Sequence, residues 1–324
     1  MNNYPSYLNS DSNDKLDKVI TDTLRILESC VLCPHKCKVN RLKEKKGFCK
    51  TGLKAKVYSY LSHQGEEPPV SGTKGSGTIF FSNCNMACVY CQNYEFSQLG
   101  QGKEVECDEL AGFMLELQKN SCHNINLVTP THVLPQILKA LKIAISKGFN
   151  LPIVYNTGGY ELPEIIRLLK GIVDVYLVDM RYGDQNSAIK FSAAKDYPKY
   201  NQAAVKEMQN QVGIAEFDNS GIIKKGLIIR HLVLPNNVSN TEEIMKFVSK
   251  EISPETYISL MSQYLPYYKA EHFNDINRRL KYAEYEEAKQ VMDKYGLHNG
   301  WIQESLGLER FAGVHIKSVL KKDE

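Results

Sequence analysis

A chain of 324 residues with 43% hydrophobic and 24% charged side chains has material for a large core and needs no disulfide staples. Forty basic against thirty-seven acidic residues leave a net charge of +3, too small to argue for nucleic acid on charge. No apolar run approaches a membrane span, the start Met-Asn-Asn-Tyr-Pro does not read as a signal peptide, and the odd count of nine cysteines speaks against a disulfide framework.

Residues 1–12 are polar and read as a loose tail. From Asp14 to Leu27, Leu16, Val19, Ile20, Leu24 and Leu27 recur at helical spacing and predict an amphipathic helix. A module at 30–52 follows, rich in cysteine and lysine and poor in apolar residues, so its order is expected to depend on a metal. Its pattern Cys30-x2-Cys33-x3-Cys37-x11-Cys49 supplies four thiolates, enough for a tetrahedral zinc site or a second [4Fe-4S] cluster, and spacing does not choose between them. His35 is a spare ligand. Next comes a loop dense in turn residues, His63-Gln-Gly-Glu-Glu-Pro-Pro-Val-Ser-Gly.

Beyond Gly75, strand-like runs at 77–83, 124–129, 151–156, 173–179, 226–234 and 256–262 alternate with helical patterns at 108–119, 133–147, 161–170, 198–212 and 241–251. Strand and helix alternating over this length predict parallel βαβ units, and six of them predict an α/β fold built on an open (β/α)6 barrel. Residues 214–225 read as a polar insertion. A last helix over about 275–295 and a strand near Gly300-Trp-Ile-Gln would form a C-terminal extension. The expected division is 1–28 (tail and helix), 29–74 (cysteine module and connecting loop), 75–268 (barrel) and 269–324 (extension).

The second cysteine motif, Cys84-Asn-Met-Ala-Cys88-Val-Tyr-Cys91, directly follows the first barrel strand. Three thiolates on a tight loop suit three irons of a cubane [4Fe-4S] cluster and leave the fourth open to a ligand. A structural zinc site needs a fourth ligand, which Cys107, Cys122 or a histidine would have to supply. The CxxxCxxC spacing resembles the radical S-adenosylmethionine (SAM) superfamily. That resemblance implies a cluster on Cys84, Cys88 and Cys91 whose open iron chelates SAM, with reductive cleavage to a 5′-deoxyadenosyl radical. It implies Tyr90 beside the adenine, with Asn93 as a further cofactor contact, and a reductant such as flavodoxin or ferredoxin. Such a cluster, with reduced cysteines, places the protein in a reducing cytoplasm.

Parallel α/β folds place ligands at the carboxyl ends of their strands. Polar residues follow apolar runs there at Thr129 to His132, Asn156-Thr157, Asp179 to Arg181 and Arg230-His231. Their amide, hydroxyl, carboxylate and guanidinium groups suit the polar groups of SAM. His132 and His231 are read as structural, Cys107 and Cys122 as buried thiols, and Tyr264, Tyr267 and Tyr268 as packing or a substrate mouth.

From 75 to 268 the chain is similar to activating enzymes of glycyl radical enzymes. Over 28–305 it is similar to the PflX-like branch, in Cys-Val-Leu-Cys-Pro-His-Lys-Cys, Gly-Glu-Glu-Pro-Pro-Val-Ser-Gly, Asn-Ile-Asn-Leu-Val-Thr-Pro-Thr-His, Val-Tyr-Asn-Thr-Gly-Gly-Tyr and Arg-His-Leu-Val-Leu-Pro. This resemblance implies SAM contacts from Asp179, from Arg181 (an arginine where the family has lysine) and from Arg230, while the strand-end position alone makes Thr129, Thr131 and Asn156 candidates. It departs from the pattern where activating enzymes carry Gly-Gly-Glu on the second strand, since Thr129-Pro130-Thr131 has no acid. It implies a glycyl radical enzyme as partner; a peptide, small metabolite or RNA is the alternative substrate, and a non-catalytic metal-binding interaction protein a second alternative. No membrane partner is implied.

Overall fold

The computed structural model describes residues 4–12 and 14–303. The main sheet takes β1 (Ala55–His63), β2 (Ser76–Phe81), β3 (Lys103–Val105), β4 (Ile125–Val128), β5 (Ile153–Thr157), β6 (Val175–Asp179), β8 (Ile223–Leu232), β9 (Tyr257–Met261) and β10 (Gly300–Ile302), with the short β7 (Glu216–Phe217) paired to β8 alone. The order is β10-β9-β8-β6-β5-β4-β2-β1-β3. From β2 to β10 every neighbouring pair is parallel, and β1 and β3 add an antiparallel edge. Among the described residues the two ends of this order do not pair, so the molecule is a mixed α/β structure with a largely parallel, partial TIM-like barrel.

Burial explains the strand choice. All residues of β2, β5 and β6 are buried, as expected of parallel strands covered on both faces. Side chains alternate between those faces. Ile79, Phe81, Ile125, Leu127, Ile153, Tyr155, Tyr176 and Val178 join the core under the helices. There the helix Leu134–Ser146 buries Leu134, Ile137, Leu138, Leu141 and Ala144 at helical spacing. On the opposite, inner face Val154, Val175, Leu177 and Ile228 pack around Val70, which the turn after β1 carries into the bore. The same face becomes polar towards the strands' carboxyl ends, with Asp179 in register beside Arg230 and Arg230 beside Ser259.

Several expectations need correction. Residues 4–12 are not loose: Tyr7 is fully buried, its hydroxyl donates to Leu151 O at 2.9 Å, and Ser10 Oγ donates to Gly171 O at 2.7 Å. A buried tyrosine and backbone partners leading into the strands outweigh the polar composition. The last helix is Tyr282–Lys294, shorter than 275–295 because Arg278 and the Lys281 backbone bind the Glu284 carboxylate and fix its start. The insertion at 214–225 contains β7 and folds back on β8. The sequence pattern missed β1, which pairs with β2 and carries the sheet across position 74. It also missed the helix Gln185–Ser192. Cys107 is only half-buried; Cys122 is buried. No helix among the described residues is long and apolar enough to cross a membrane.

Candidate active site

The Cys84–Cys91 loop leaves β2 and is held by backbone groups from three directions. Ser82 N donates to Lys56 O at 2.8 Å, Ala87 N to Ser192 O at 3.0 Å, Val89 N to Phe191 O at 2.9 Å, and Lys269 N to Val89 O at 2.8 Å. Each sulfur has a hydrogen-bond partner, a donor at Cys84 and Cys88 and a hydroxyl at Cys91. Met86 N lies 3.3 Å from Cys84 Sγ, Ser192 Oγ 3.0 Å from Cys88 Sγ, and Ser97 Oγ 3.1 Å from Cys91 Sγ. Burial raises the Cys84 thiol, Cys88 raises it further, and the same two causes push Cys91 up to about 11. Thiols so placed keep their protons unless a cation offsets the burial, and a bound metal does so by deprotonating its sulfur ligands. The donor set, its burial and the hydrogen bonds to sulfur therefore fit an iron–sulfur group. Among the described residues no three Cys, His, Asp or Glu side chains converge on one point as ligands of a single ion do; a cubane instead spaces its sulfurs around several irons.

Tyr90 is buried and its hydroxyl lies 2.7 Å from the Tyr182 hydroxyl, which lies 2.6 Å from Ser192 Oγ. A continuous hydrogen-bonded chain thus runs from Tyr90 to Cys88 sulfur. The Tyr90 ring meets Tyr264 edge-on at 5.6 Å. Asn93 Oδ1 is buried without a hydrogen-bond partner.

The strand-end residues divide into two groups. Asp179 binds Arg230 Nε at 2.8 Å and Arg181 Nη2, and Arg230 Nη2 donates to Asn156 Oδ1 at 2.6 Å. So Asn156, Asp179, Arg181 and Arg230 form one network at the carboxyl ends of β5, β6 and β8. Two carboxylates missed by sequence reasoning lie beneath it, in the Gly-Glu-Glu-Pro-Pro turn. Glu66 lies 3.7 Å from Arg230 Nη1 and 3.2 Å from His63 Nδ1. Glu67 is buried beside Ser259; burial raises its carboxyl, against the pull of Arg230. The motif Gly-Glu-Glu-Pro-Pro-Val-Ser-Gly stood out in the sequence, but without β1 nothing in it told where its glutamates lie.

The second group gathers on another missed carboxylate. Thr131 Oγ1 and Thr157 Oγ1 both donate to Glu161 Oε1, and Glu161 is fully buried with Oε2 left without a partner. Burial pushes its carboxyl up to about 7, the threonine hydroxyls opposing. Thr129 has φ +60°, a strained conformation for a β-branched residue, and its N–H donates to Asn156 O at 2.9 Å. The sequence stretch that lacks an acid therefore receives one from the following loop. The signal was present as Gly158-Gly159-Tyr160-Glu161.

The four N-terminal cysteines line one small cavity with Arg41, Lys36 and His132. Burial raises the Cys33 thiol well above its ordinary value, with Cys49 and Cys37 adding to the rise. Backbone closes tightly on the sulfurs: Phe48 N lies 3.4 Å from Cys37 Sγ, and a Cβ on Gly47 would stand 2.7 Å from that sulfur. Four thiols lining one cavity offer the donor set of a metal centre, one that suits zinc and iron alike, although among the described residues no three of them converge as the ligands of a single ion do. His35 does not join them. It stacks on Phe48 at 3.7 Å and its Nε2 lies 2.9 Å from Asn85 O, joining the module to the second cysteine loop. His132 Nε2 likewise lies 2.8 Å from Ser82 O, and burial pushes its pKa down to about 4. His231 uses both nitrogens, towards Met180 O at 2.7 Å and Thr241 Oγ1 at 3.0 Å. Tyr264 packs, with its hydroxyl on Ile276 O at 2.6 Å, and Tyr268 stacks on Tyr94.

A family model described as the radical SAM superfamily matches residues 78–248. The chain is 36% identical over 296 residues to MJ0674, a protein of Methanocaldococcus jannaschii described as uncharacterised, covering 87% of this chain and 79% of that one. Among solved structures it is similar to methylornithine synthase (PylB), at 14% identity and a TM-score of 0.48, over 96% of this chain and 92% of that one. It is also similar to HydG, a maturase of the [FeFe]-hydrogenase, at 12% identity and a TM-score of 0.46; the match covers 68% of this chain and 49% of HydG, so the chain spans about half of that protein.

Proposed function

The chain belongs to the radical SAM superfamily, and from that premise we propose that Cys84, Cys88 and Cys91 hold its [4Fe-4S] cluster. A cluster and SAM are the cofactors of the family, and its members generally take a reductant such as flavodoxin or ferredoxin. When bound, the pair supplies a 5′-deoxyadenosyl radical, which takes a hydrogen atom from substrate. The observation that carries the assignment is the set of three thiols on one pinned loop, Cys88 buried and Cys84 and Cys91 half-buried, each sulfur with a hydrogen-bond partner. Met86 N–H, Ser192 Oγ and Ser97 Oγ would offset negative charge on the sulfurs.

SAM itself would lie over the carboxyl ends of the strands. Asp179, Arg181, Arg230 and Asn156 present carboxylate, guanidinium and amide groups there. Arg230 is already committed to Asp179 and Asn156 and reads as the clamp that orients Asp179. Arg181 Nε is buried without a hydrogen-bond partner, which leaves it able to donate to a ligand carboxylate. Glu161 Oε2 is equally free, and we assign it the contact with the SAM amino group that Thr129-Pro130-Thr131 lacks an acid to make. Tyr90 and Asn93 would flank the adenine.

For the N-terminal cysteines we propose a closed zinc or iron–sulfur centre. The leading substrate class is a backbone glycine of a glycyl radical enzyme, supported by the likeness of the barrel motifs to activating enzymes and of the whole chain to the PflX-like branch. A peptide or small-metabolite substrate gains support from Glu66 and Glu67, a polar floor suited to a ligand with hydrogen-bond donors. The setting would be a reducing cytoplasm. Anaerobically reconstituted protein is expected to cleave SAM to 5′-deoxyadenosine when reduced. Mass analysis of candidate glycyl radical enzymes and peptides after reaction identifies the substrate class; SAM cleavage retained in Cys88→Ala sinks the cluster assignment.

A further inference from the structure

Charge is concentrated in one segment of this chain. Residues 36–56 carry eight lysines and one arginine against a single glutamate, a surplus of +8 in a protein whose net charge is +3, so the remainder carries −5. Arg41 is buried, but Lys36, Lys38, Lys43, Lys45, Lys46, Lys50 and Lys54 are exposed. Only two of these are neutralised, Lys36 by Glu164 and Lys54 by Glu106; among the described residues no carboxylate lies within ion-pair distance of the other five. Like charges held together without partners cost stability, which makes the arrangement one to explain.

The face also carries apolar surface. Leu42, Phe48 and Leu53 are 40%, 38% and 37% exposed, and Leu99, beside them on the adjoining loop, is 60% exposed. Leu99 lines a pocket rich in lysine, and Leu42, Phe48 and Leu53 lie on the module, whose exposed charged side chains are lysines apart from Glu44. Lys46, Lys50, Lys54 and Lys56 line a pocket of about 180 Å3 whose wall includes Leu99, Asn83 and a single carboxylate, Glu104, so four cations face one acid. Asn83 immediately precedes Cys84 and its Nδ2 donates to Thr51 Oγ1 at 3.2 Å. Cys37 and Cys49 are themselves only half-buried under this face.

We propose that this face is the docking surface for an acidic one-electron carrier protein. The proposal rests on the radical SAM reading of the Cys84 loop, which requires one electron for each SAM cleaved. In the docked complex the reduced carrier loses one electron and the cluster gains it; no bond or proton moves in that step. Unpaired lysines around exposed leucines fit a protein partner, with charge steering encounter and apolar contact holding the complex. A nucleic acid would use the lysines but gains little from the leucines, and the aromatic ring on this face, Phe48, is already stacked on His35.

The test uses the reconstituted full chain and the variant Lys43→Glu/Lys45→Glu/Lys46→Glu, three exposed positions outside the candidate active site. Binding of flavodoxin and of a [4Fe-4S] ferredoxin is measured by calorimetry at low salt and at about 0.3 M salt. At least one carrier is expected to bind wild type, to weaken with salt, and to bind the variant at least about tenfold more weakly. Carrier-driven SAM cleavage is expected to fall in parallel while dithionite-driven cleavage stays at the wild-type rate. Equal binding to wild type and variant, or no binding of either carrier, overturns the proposal. So does a single-stranded RNA oligonucleotide that binds more tightly than the carriers and is lost in the variant. Failure of dithionite-driven cleavage in wild type counts against the radical SAM reading instead, and the calorimetry still decides the docking surface.

Discussion

The two cysteine regions use the same side chain in opposite structural settings. The Cys84–Cys91 loop is held by backbone hydrogen bonds to 191, 192 and 269 and by the burial of Met86, Cys88 and Tyr90, none of which needs a metal. The Cys30–Cys49 module has Leu32 as its chief buried apolar side chain, with Leu42 and Phe48 exposed. It places four non-glycine residues, Lys36, Lys38, Glu44 and Lys50, at positive φ. Each such residue costs about 1 kcal/mol, with little burial to offset it. The protein scaffold shapes the first region. In the second, metal binding is expected to shape the protein.

The largest effect expected from this contrast is on activity. Alanine at Cys84, Cys88 or Cys91 should take SAM cleavage to background while the melting temperature of the apoprotein changes little. A large loss of apoprotein stability in Cys84→Ala would erase the distinction. Cys33→Ser should do the reverse, removing one metal site and exposing residues 28–52 to protease while the second cluster still forms. Structural zinc is worth on the order of 10 kcal/mol to such modules, so the segment should lose its order entirely. Metal analysis of the variant reads loss of zinc or of about four irons per chain. Unchanged metal content and proteolysis would show that these thiols form no site.

Both cysteine motifs and the run of parallel strands were legible because each depends on local signals: ligand spacing, apolar strand runs and helical spacing between them. β1 was not, because only Ala55 and Val57 of its nine side chains are fully buried and Lys56, Tyr58 and Ser59 break the apolar run. Missing β1 hid the consequence of its turn, which drives Glu66, Glu67 and Val70 into the bore. Glu161 and Ser192 share that fate. In sequence each is an ordinary polar residue after a strand or at a helix end, and only the long-range fold shows what it touches. Tyr7 errs in the other direction, a polar-looking segment anchored by one buried ring.

Glu161 belongs to neither cysteine region and should show a pH effect that neither set of cysteines can. Its folded-state pKa of about 7 stands above the ordinary 4.5, so ionisation favours the unfolded chain. The neutral acid is tolerated at low pH. Stability is then lost as pH rises from about 4.5 to about 7, levelling off above, by roughly 3 kcal/mol in all. Glu161→Gln in the SAM-free protein should therefore be more stable than wild type at pH 8, and the two should converge near pH 4. With SAM present the order should change, because glutamine cannot offer a carboxylate to the amino group. Parallel thermal melts with and without SAM check this; identical pH profiles for variant and wild type would remove Glu161 from the site.

The smallest effect tests whether the scaffold tunes the cluster as well as holding it. Ser192 Oγ donates to Cys88 Sγ and in turn meets the Tyr182–Tyr90 hydroxyl pair, so its proton has a defined direction. A hydroxyl donating to a ligand sulfur stabilises the more negative, reduced cluster. Ser192→Ala removes that donor without touching a ligand, and a hydrogen bond of this kind is worth about 1 kcal/mol net. One-electron couples shift about 59 mV per tenfold change in equilibrium constant, so the midpoint potential should fall by about 40 mV. Iron content should be unchanged, since Ala87 and Val89 remain bonded to the backbone of 191 and 192. Tyr182→Phe, one step further along the chain, should shift the potential in the same direction by less. A potential unmoved by Ser192→Ala, measured by spectroscopic redox titration, would leave Ser192 as support for the loop alone.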